Sequence, residues 1–161
     1  MIERRFLLAG LALGGGVIAA PLLFAKSSRP QAAAGWRLTD AEWQKRLSPM
    51  QYRVLREAAT ERPFSHPLDH EKRAGTFLCA GCALPLYSSK TKFDSGTGWP
   101  SFWAPLKGGI ATSTDYDLGY PRVEVHCKRC AGHLGHVFDD GPKPTGTRSC
   151  MNGAALVCRA A

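Results

Sequence analysis

Between Leu38 and Glu61 the apolar positions recur at three- and four-residue steps, the period of a helix with one buried face. Thr39 or Asp40 is placed to cap a first helix through Trp43 and Leu47. Ser48-Pro49 is placed to open a second carrying Tyr52, Leu55 and Ala59. Such caps accept hydrogen bonds from the unpaired N–H groups of a first turn, and a proline there lacks only an N–H that has no partner. Pro63 and Pro67 are expected to end the second helix. From Gly75 onward the texture changes. Short apolar and aromatic runs (Thr76–Leu78, Pro85–Tyr87, Arg122–Val125, Ala154–Val157) are broken by Gly, Pro, Ser and Asp. This is the pattern of a small antiparallel β domain. The expected fold is therefore mainly β, with short N-terminal helices.

One earlier stretch follows neither period. Phe6–Ala25 is an uncharged run behind Arg4-Arg5, and a polar spacer leads from it to Ala32-Ala33-Ala34. A basic start, an apolar run and a small-residue site together read as an export signal. Residues 1–34 are assigned to it and 35–161 to the working domain, with the periplasm as destination. The run is long enough to span a bilayer, but three glycines at 14–16 and Pro21 leave it mildly apolar, so removal is favoured over a permanent anchor. Arg4-Arg5-Phe6-Leu7-Leu8 resembles the twin-arginine pattern with Glu3 in place of the usual Ser or Thr; an ordinary secretory signal is the alternative. Of the net charge of +8, +3 lies in residues 1–34, and the other basic residues are scattered with no aromatic interleaving. Nucleic-acid binding is not expected. Membrane contact is expected only through an uncleaved signal, and 161 residues allow one domain with a real core, expected to act as a monomer.

Six cysteines are too few for a disulfide scaffold. Four of them form two CxxC knuckles, Cys79/Cys82 and Cys127/Cys130. Two residues between thiolates let one turn present both sulfurs to one ion, and two such turns close a tetrahedral cage, with zinc or a similar ion as cofactor. All four positions belong to the protein, so the metal should be structural. A thioredoxin-like redox pair is the first alternative, but neither knuckle sits in a βαβ pattern. Disulfides, which export would permit, are the second.

The remaining chemistry gathers in one stretch. Arg148, Cys150 and Asn152 alternate, so an extended segment would set a guanidinium, a sulfur and an amide along one face. A nearby cation lowers a thiol's pKa, and the thiolate is the nucleophile. His133 and His136 are candidate acid/base groups. Asp140, four residues past His136, would orient an imidazole or simply make a turn before Gly141-Pro142. Upstream, Trp99 and Phe102 in a Gly-punctuated aromatic loop would wall a pocket for a small apolar group or serve as core. Cys150 itself has a bland alternative, a buried inert cysteine at a strand start.

Taken in order, Pro85-Leu86-Tyr87 after the first CxxC, Ser95–Phe102 (SGTGWPSF), His133–Pro142 (HLGHVFDDGP) after the second, Pro144–Arg148 (PTGTR) and Arg148–Asn152 (RSCMN) resemble the B-type peptide methionine-R-sulfoxide reductases. The resemblance runs from about Trp43 to Leu156. It implies two antiparallel sheets, a structural zinc, and reduction of the R epimer of methionine sulfoxide, free or in proteins. Cys150 would attack the sulfoxide sulfur, and His136, with His133 nearby, would protonate or hydrogen-bond the departing oxygen. Asp140, Arg148 and Asn152 would shape the polar side, and Trp99 would pack on the S-methyl group. Attack leaves a sulfenic acid for a thiol to reduce. Three departures stand out: Thr97 where many members carry a second cysteine, Ser149 where the family generally has an aromatic, and Gly153-Ala154-Ala155 for Ser-Ala-Ser. Eight residues of extended chain cover roughly 26 Å, so Cys158 is not expected to reach Cys150. An outside thioredoxin-like thiol is the expected reductant. A zinc-stapled binding module would keep the knuckles but has no use for RSCMN or HLGHVF.

Overall fold

The structure, a computed structural model, describes residues 30–161. The expected export signal lies outside them up to residue 29. Helix α1 (Asp40–Arg46) is capped by Thr39, whose hydroxyl accepts from Glu42 N–H while the Glu42 carboxylate accepts from Thr39 N–H. Ser48 and Gln51 make the same reciprocal box at α2 (Pro49–Glu57), which has proline at its first position. The second helix ends earlier than expected: Ala58 takes a left-handed φ of 56° and turns the chain before either proline. No helix among the described residues is long and apolar enough to cross a membrane.

Among the described residues nine strands follow: β1 (Gly75–Cys79), β2 (Pro85–Ser88), β3 (Lys92–Phe93), β4 (Ser101–Phe102), β5 (Ile110–Asp115), β6 (Arg122–Cys127), β7 (His133–Phe138), β8 (Arg148–Met151) and β9 (Leu156–Ala160). They form a three-stranded sheet ordered β2-β1-β9 and a six-stranded sheet ordered β3-β4-β8-β7-β6-β5, antiparallel throughout. The mainly β class and the two sheets are as expected. The run Ala154–Val157 divides, because Gly153–Ala155 make a 3-10 turn and the strand starts at Leu156. A single core cluster draws Trp43, Val54 and Leu55 from the helices and Phe77, Tyr87, Phe102, Val125 and Met151 from both sheets. Strand β8, third from the β3 edge of the large sheet, is paired on both sides, and Cys150 rides on it.

Candidate active site and metal centre

The cysteine knuckles are two copies of one turn. Ala83 N–H donates to Cys79 O and Ala131 N–H to Cys127 O, and both alanines sit just past the second cysteine at positive φ, 57° and 55°. The four Sγ atoms lie within 4.8 Å of one another, with Cys79–Cys130 at 3.6 Å and Cys82–Cys127 at 3.4 Å. A regular tetrahedron with metal–sulfur bonds of about 2.3 Å has edges of roughly 3.8 Å, so the buried thiols fit one ion closely. Cys79 ends a strand of the small sheet and Cys127 ends one of the large sheet. The cage thus fastens the two sheets together.

The second site is a row across the large sheet. Directly paired residues put Ser101, Cys150, His136, Glu124 and Ser113 side by side on β4, β8, β7, β6 and β5. Side chains opposite one another on antiparallel strands share a face, so Cys150 and His136 are neighbours. Two histidines three apart would point to opposite faces of a regular strand. A bulge between β6 and β7 prevents this, pairing Val125 with Gly135 but His126 with His133. Both imidazoles then lie on one side, ring centroids 5.4 Å apart. Glycine at 135 is required by close approach, because a Cβ there would overlap the Cys150 carbonyl.

Cys150 opens on a pocket of about 160 Å³, walled by Trp99 and Phe138 and floored by His136, Gly135 and Asn152, with Arg122 and Thr60 at its rim. Trp99 is aimed by its indole N–H, which donates to Glu61 O at 3.2 Å. The Glu61 carboxylate is itself buried and accepts from the N–H groups of Gly153 and Ala154 at the turn after β8. Residues 47–160 match the model of the SelR domain. A peptide methionine sulfoxide reductase MsrB of Bradyrhizobium diazoefficiens is 55% identical over 119 residues, covering 73% of this chain and 86% of that protein. The chain belongs to the SelR family. The MsrB of Leptospira interrogans is 49% identical over 119 residues, 73% of this chain and 91% of that one. Peptide methionine sulfoxide reductase B1, chloroplastic, of Arabidopsis thaliana is 50% identical over 120 residues, 74% of this chain and 59% of that one.

Within this SelR domain several residues do other work than expected. Asp140 does not touch His136; it holds Arg148 in a two-pronged pair at 2.9 Å, and the guanidinium lies 4.5 Å over the Phe138 ring. Asp115, from β5, is the carboxylate that receives His136 Nε2–H, at 2.8 Å, and it also receives Arg122 at 2.5 Å. Glu124 accepts from His133 Nδ1 at 2.5 Å, and His133 is buried rather than pocket-lining. Asn152 borders the pocket, but its amide braces the frame. Its Nδ2 donates to the bulge carbonyl of Leu134 and its Oδ1 accepts from Glu61 N–H. Phe102 is no pocket wall. It lies fully buried on the opposite face, stacked on Tyr87 at 4.3 Å and edge-on to Phe77. Ser149 is buried on that same core face, paired with Phe102, so its substitution leaves the pocket wall alone.

The electrostatics also correct the expectation of a resting thiolate. Burial pushes the Cys150 thiol above its ordinary value of 9.0, outweighing the Arg148 charge and the Thr97 and Ser101 hydroxyls that favour the anion. Burial likewise lowers His136, against the opposing hydrogen bond to Asp115. At rest the pair is a neutral thiol beside a neutral imidazole. Thr97 Oγ1 stands 3.9 Å from Cys150 Sγ, within a chain of hydroxyls through Ser95 to Ser101. Cys158 is on β9 of the other sheet, opposite Phe77.

Proposed function

We propose that this chain reduces the R epimer of methionine sulfoxide, in proteins or free, with Cys150 as nucleophile. One observation carries the reading: the Cys150 thiol faces His136 across the ladder and opens on a pocket with an indole and a phenyl wall. The apolar walls suit the S-methyl and thioether arm. The imidazole side and Arg122 suit an oxygen gaining negative charge. Attack of Cys150 Sγ on the sulfoxide sulfur transfers the oxygen to the cysteine, leaving a thioether and a sulfenic acid, and the thiol proton ends on that oxygen. His136 lies beside this transfer. Entry of the sulfoxide brings a partial positive sulfur to the thiol, which favours the anion that burial opposes in the free site.

An outside thiol of the thioredoxin-like class then attacks the sulfenic sulfur and releases water. A second thiol cleaves the mixed disulfide and restores Cys150. Thr97 supplies no resolving sulfur, and we assign none to Cys158 because of its strand in the other sheet. Cys158→Ser should retain multiple turnover. The caged ion, which we take as zinc, would be held by Cys79, Cys82, Cys127 and Cys130 and would supply structure alone. Export to the periplasm completes the proposal, on the strength of Arg4-Arg5 and the uncharged run; N-terminal sequencing of secreted protein tests it. Cleavage after Ala34 would remove four hydrogen bonds of the described residues: Ala33 N–H to Arg129 O at 2.8 Å, Trp36 N–H to Ala33 O at 3.0 Å, and Arg37 to Ala32 O and to Gln31 Oε1, each at 3.3 Å. The decisive assay is consumption of dabsylated methionine R- and S-sulfoxide separately. The R epimer alone should be consumed, and Cys150→Ser should abolish it; turnover of S, or activity surviving in the variant, sinks the reading.

A further inference from the structure

The turn between β5 and β6, residues 116–121, carries three large apolar side chains in water: Tyr116, Leu118 and Tyr120, at 60%, 59% and 56% exposure. Most large hydrophobics elsewhere among the described residues are buried, so a concentration on one turn marks a contact surface. The turn is not loose. Gly119 N–H donates to Tyr116 O at 2.8 Å, and Asp117 N–H to Asp115 Oδ1 at 2.7 Å. The other oxygen of the same Asp115 carboxylate holds Arg122 and His136. Arg122, which closes the turn, lines the Cys150 pocket, and so does half-exposed Phe138. Arg122 thus links the end of the apolar turn to the pocket wall.

A pocket of about 160 Å³ accepts the oxidised thioether arm and little more. A methionine inside a polypeptide has chain on both sides, and those residues must lie across the rim. We propose that Tyr116, Leu118 and Tyr120, with Phe138, form an exosite for apolar side chains flanking the oxidised methionine of an extended, non-native polypeptide. A folded protein hides such neighbours, whereas an unfolded segment offers them. The inference rests on the assignment of Cys150 as a sulfoxide-reducing nucleophile and adds to it a substrate preference read from the rim.

The test uses the full chain and a triple variant, Tyr116→Ser, Leu118→Ser and Tyr120→Ser, none of which touches the thiol or its imidazole. Three substrates are compared: N-acetylmethionine R-sulfoxide, an unstructured peptide with Leu and Val on either side of the sulfoxide, and the same peptide with Ser and Gly there. Wild type should favour the apolar peptide by about tenfold in kcat/KM, mostly through KM. The variant should lose that preference and keep its rate on the small substrate, which also reports that it is folded; if it is not, Leu118→Ser alone should show a smaller loss of the same kind. Equal rates on the two peptides in wild type, or a preference that survives in the variant, overturns the exosite. So does sedimentation showing that wild type dimerises and the variant does not, or binding to phosphatidylglycerol vesicles in its place. Failure of wild type on all three substrates would instead overturn the reductase assignment itself.

Discussion

His136 pairs directly with Glu124 across the ladder, yet the carboxylate that holds its ring is Asp115, one strand further on β5, and not Asp140, four residues on in sequence. Asp140 is spent on Arg148, while Asp115 takes the Nε2 proton of His136 and leaves Nδ1 as the ring's other polar atom. Asp115→Asn should cost at least about tenfold in kcat, a share of the 10²–10⁴ that a positioned acid or base supplies, with KM little changed. Asp140→Asn should act through Arg148 and cost less; the reverse ranking in steady-state kinetics would contradict the geometry. The thiol makes a second prediction. A group raised above 9.0 gains its anion only at alkaline pH, so alkylation of Cys150 by iodoacetamide should climb through pH 9 without a plateau below it. An inflection near neutrality would mean that Arg148 outweighs burial. Cys150 stood out in sequence beside Arg148 and Asn152, and His136 and Trp99 became candidates through the motifs they sit in. Asp115 could not be picked, since only strand pairing carries it to the site, and Phe102 misled because alternation along a two-residue strand gives no hint of which face is core.

At the scale of elements, the site depends on irregularities in otherwise plain strands. The β7 bulge sets both histidines on one face, and its carbonyl is held by Asn152, which also fixes the Glu61 segment that aims Trp99. The helix caps were legible residue by residue, since Ser, Thr and Pro act locally. Strands β5 and β7 were not, because a hydroxyl-rich IATSTD and a glycine-interrupted HLGHVF lack the alternation that signals a strand. The loop 94–100 offers a direct test of how the oxidised thiol is resolved. Thr97 Oγ1 is 3.9 Å from Cys150 Sγ, so a sulfur there needs only a small shift to bond. Thr97→Cys, given one equivalent of sulfoxide and no reductant, should lose two titratable thiols where wild type loses one. Retention of the new thiol would show that the loop holds position 97 off the line of attack.

At the scale of the molecule, the knuckles announced a metal site tying the segment near Cys79 to the one near Cys127, but not that these segments lie in different sheets. That Cys79 and Cys127 end strands of different sheets follows from topology, which the order of short runs along the chain does not encode. The cage lies at one end of β6 and the pocket residue Arg122 at the other. Metal loss should therefore act first on the fastening of the sheets and only through it on the thiol. Helix α2 leans on the same region, with Arg56 donating to Cys130 O at 3.1 Å and stacking 4.9 Å over Trp43, so loosening a knuckle also loosens the helices. Binding of a structural ion contributes folding energy outright, and on that basis Cys79→Ser should release the metal and lower Tm by more than about 10 °C. Cys150→Ser, at the far site, should keep its metal and shift Tm by less than about 3 °C. Metal content by mass spectrometry and calorimetric melting of both variants check this together. A Cys79→Ser protein that is metal-free yet melts with wild type would mean that the sheets are held by their shared core alone.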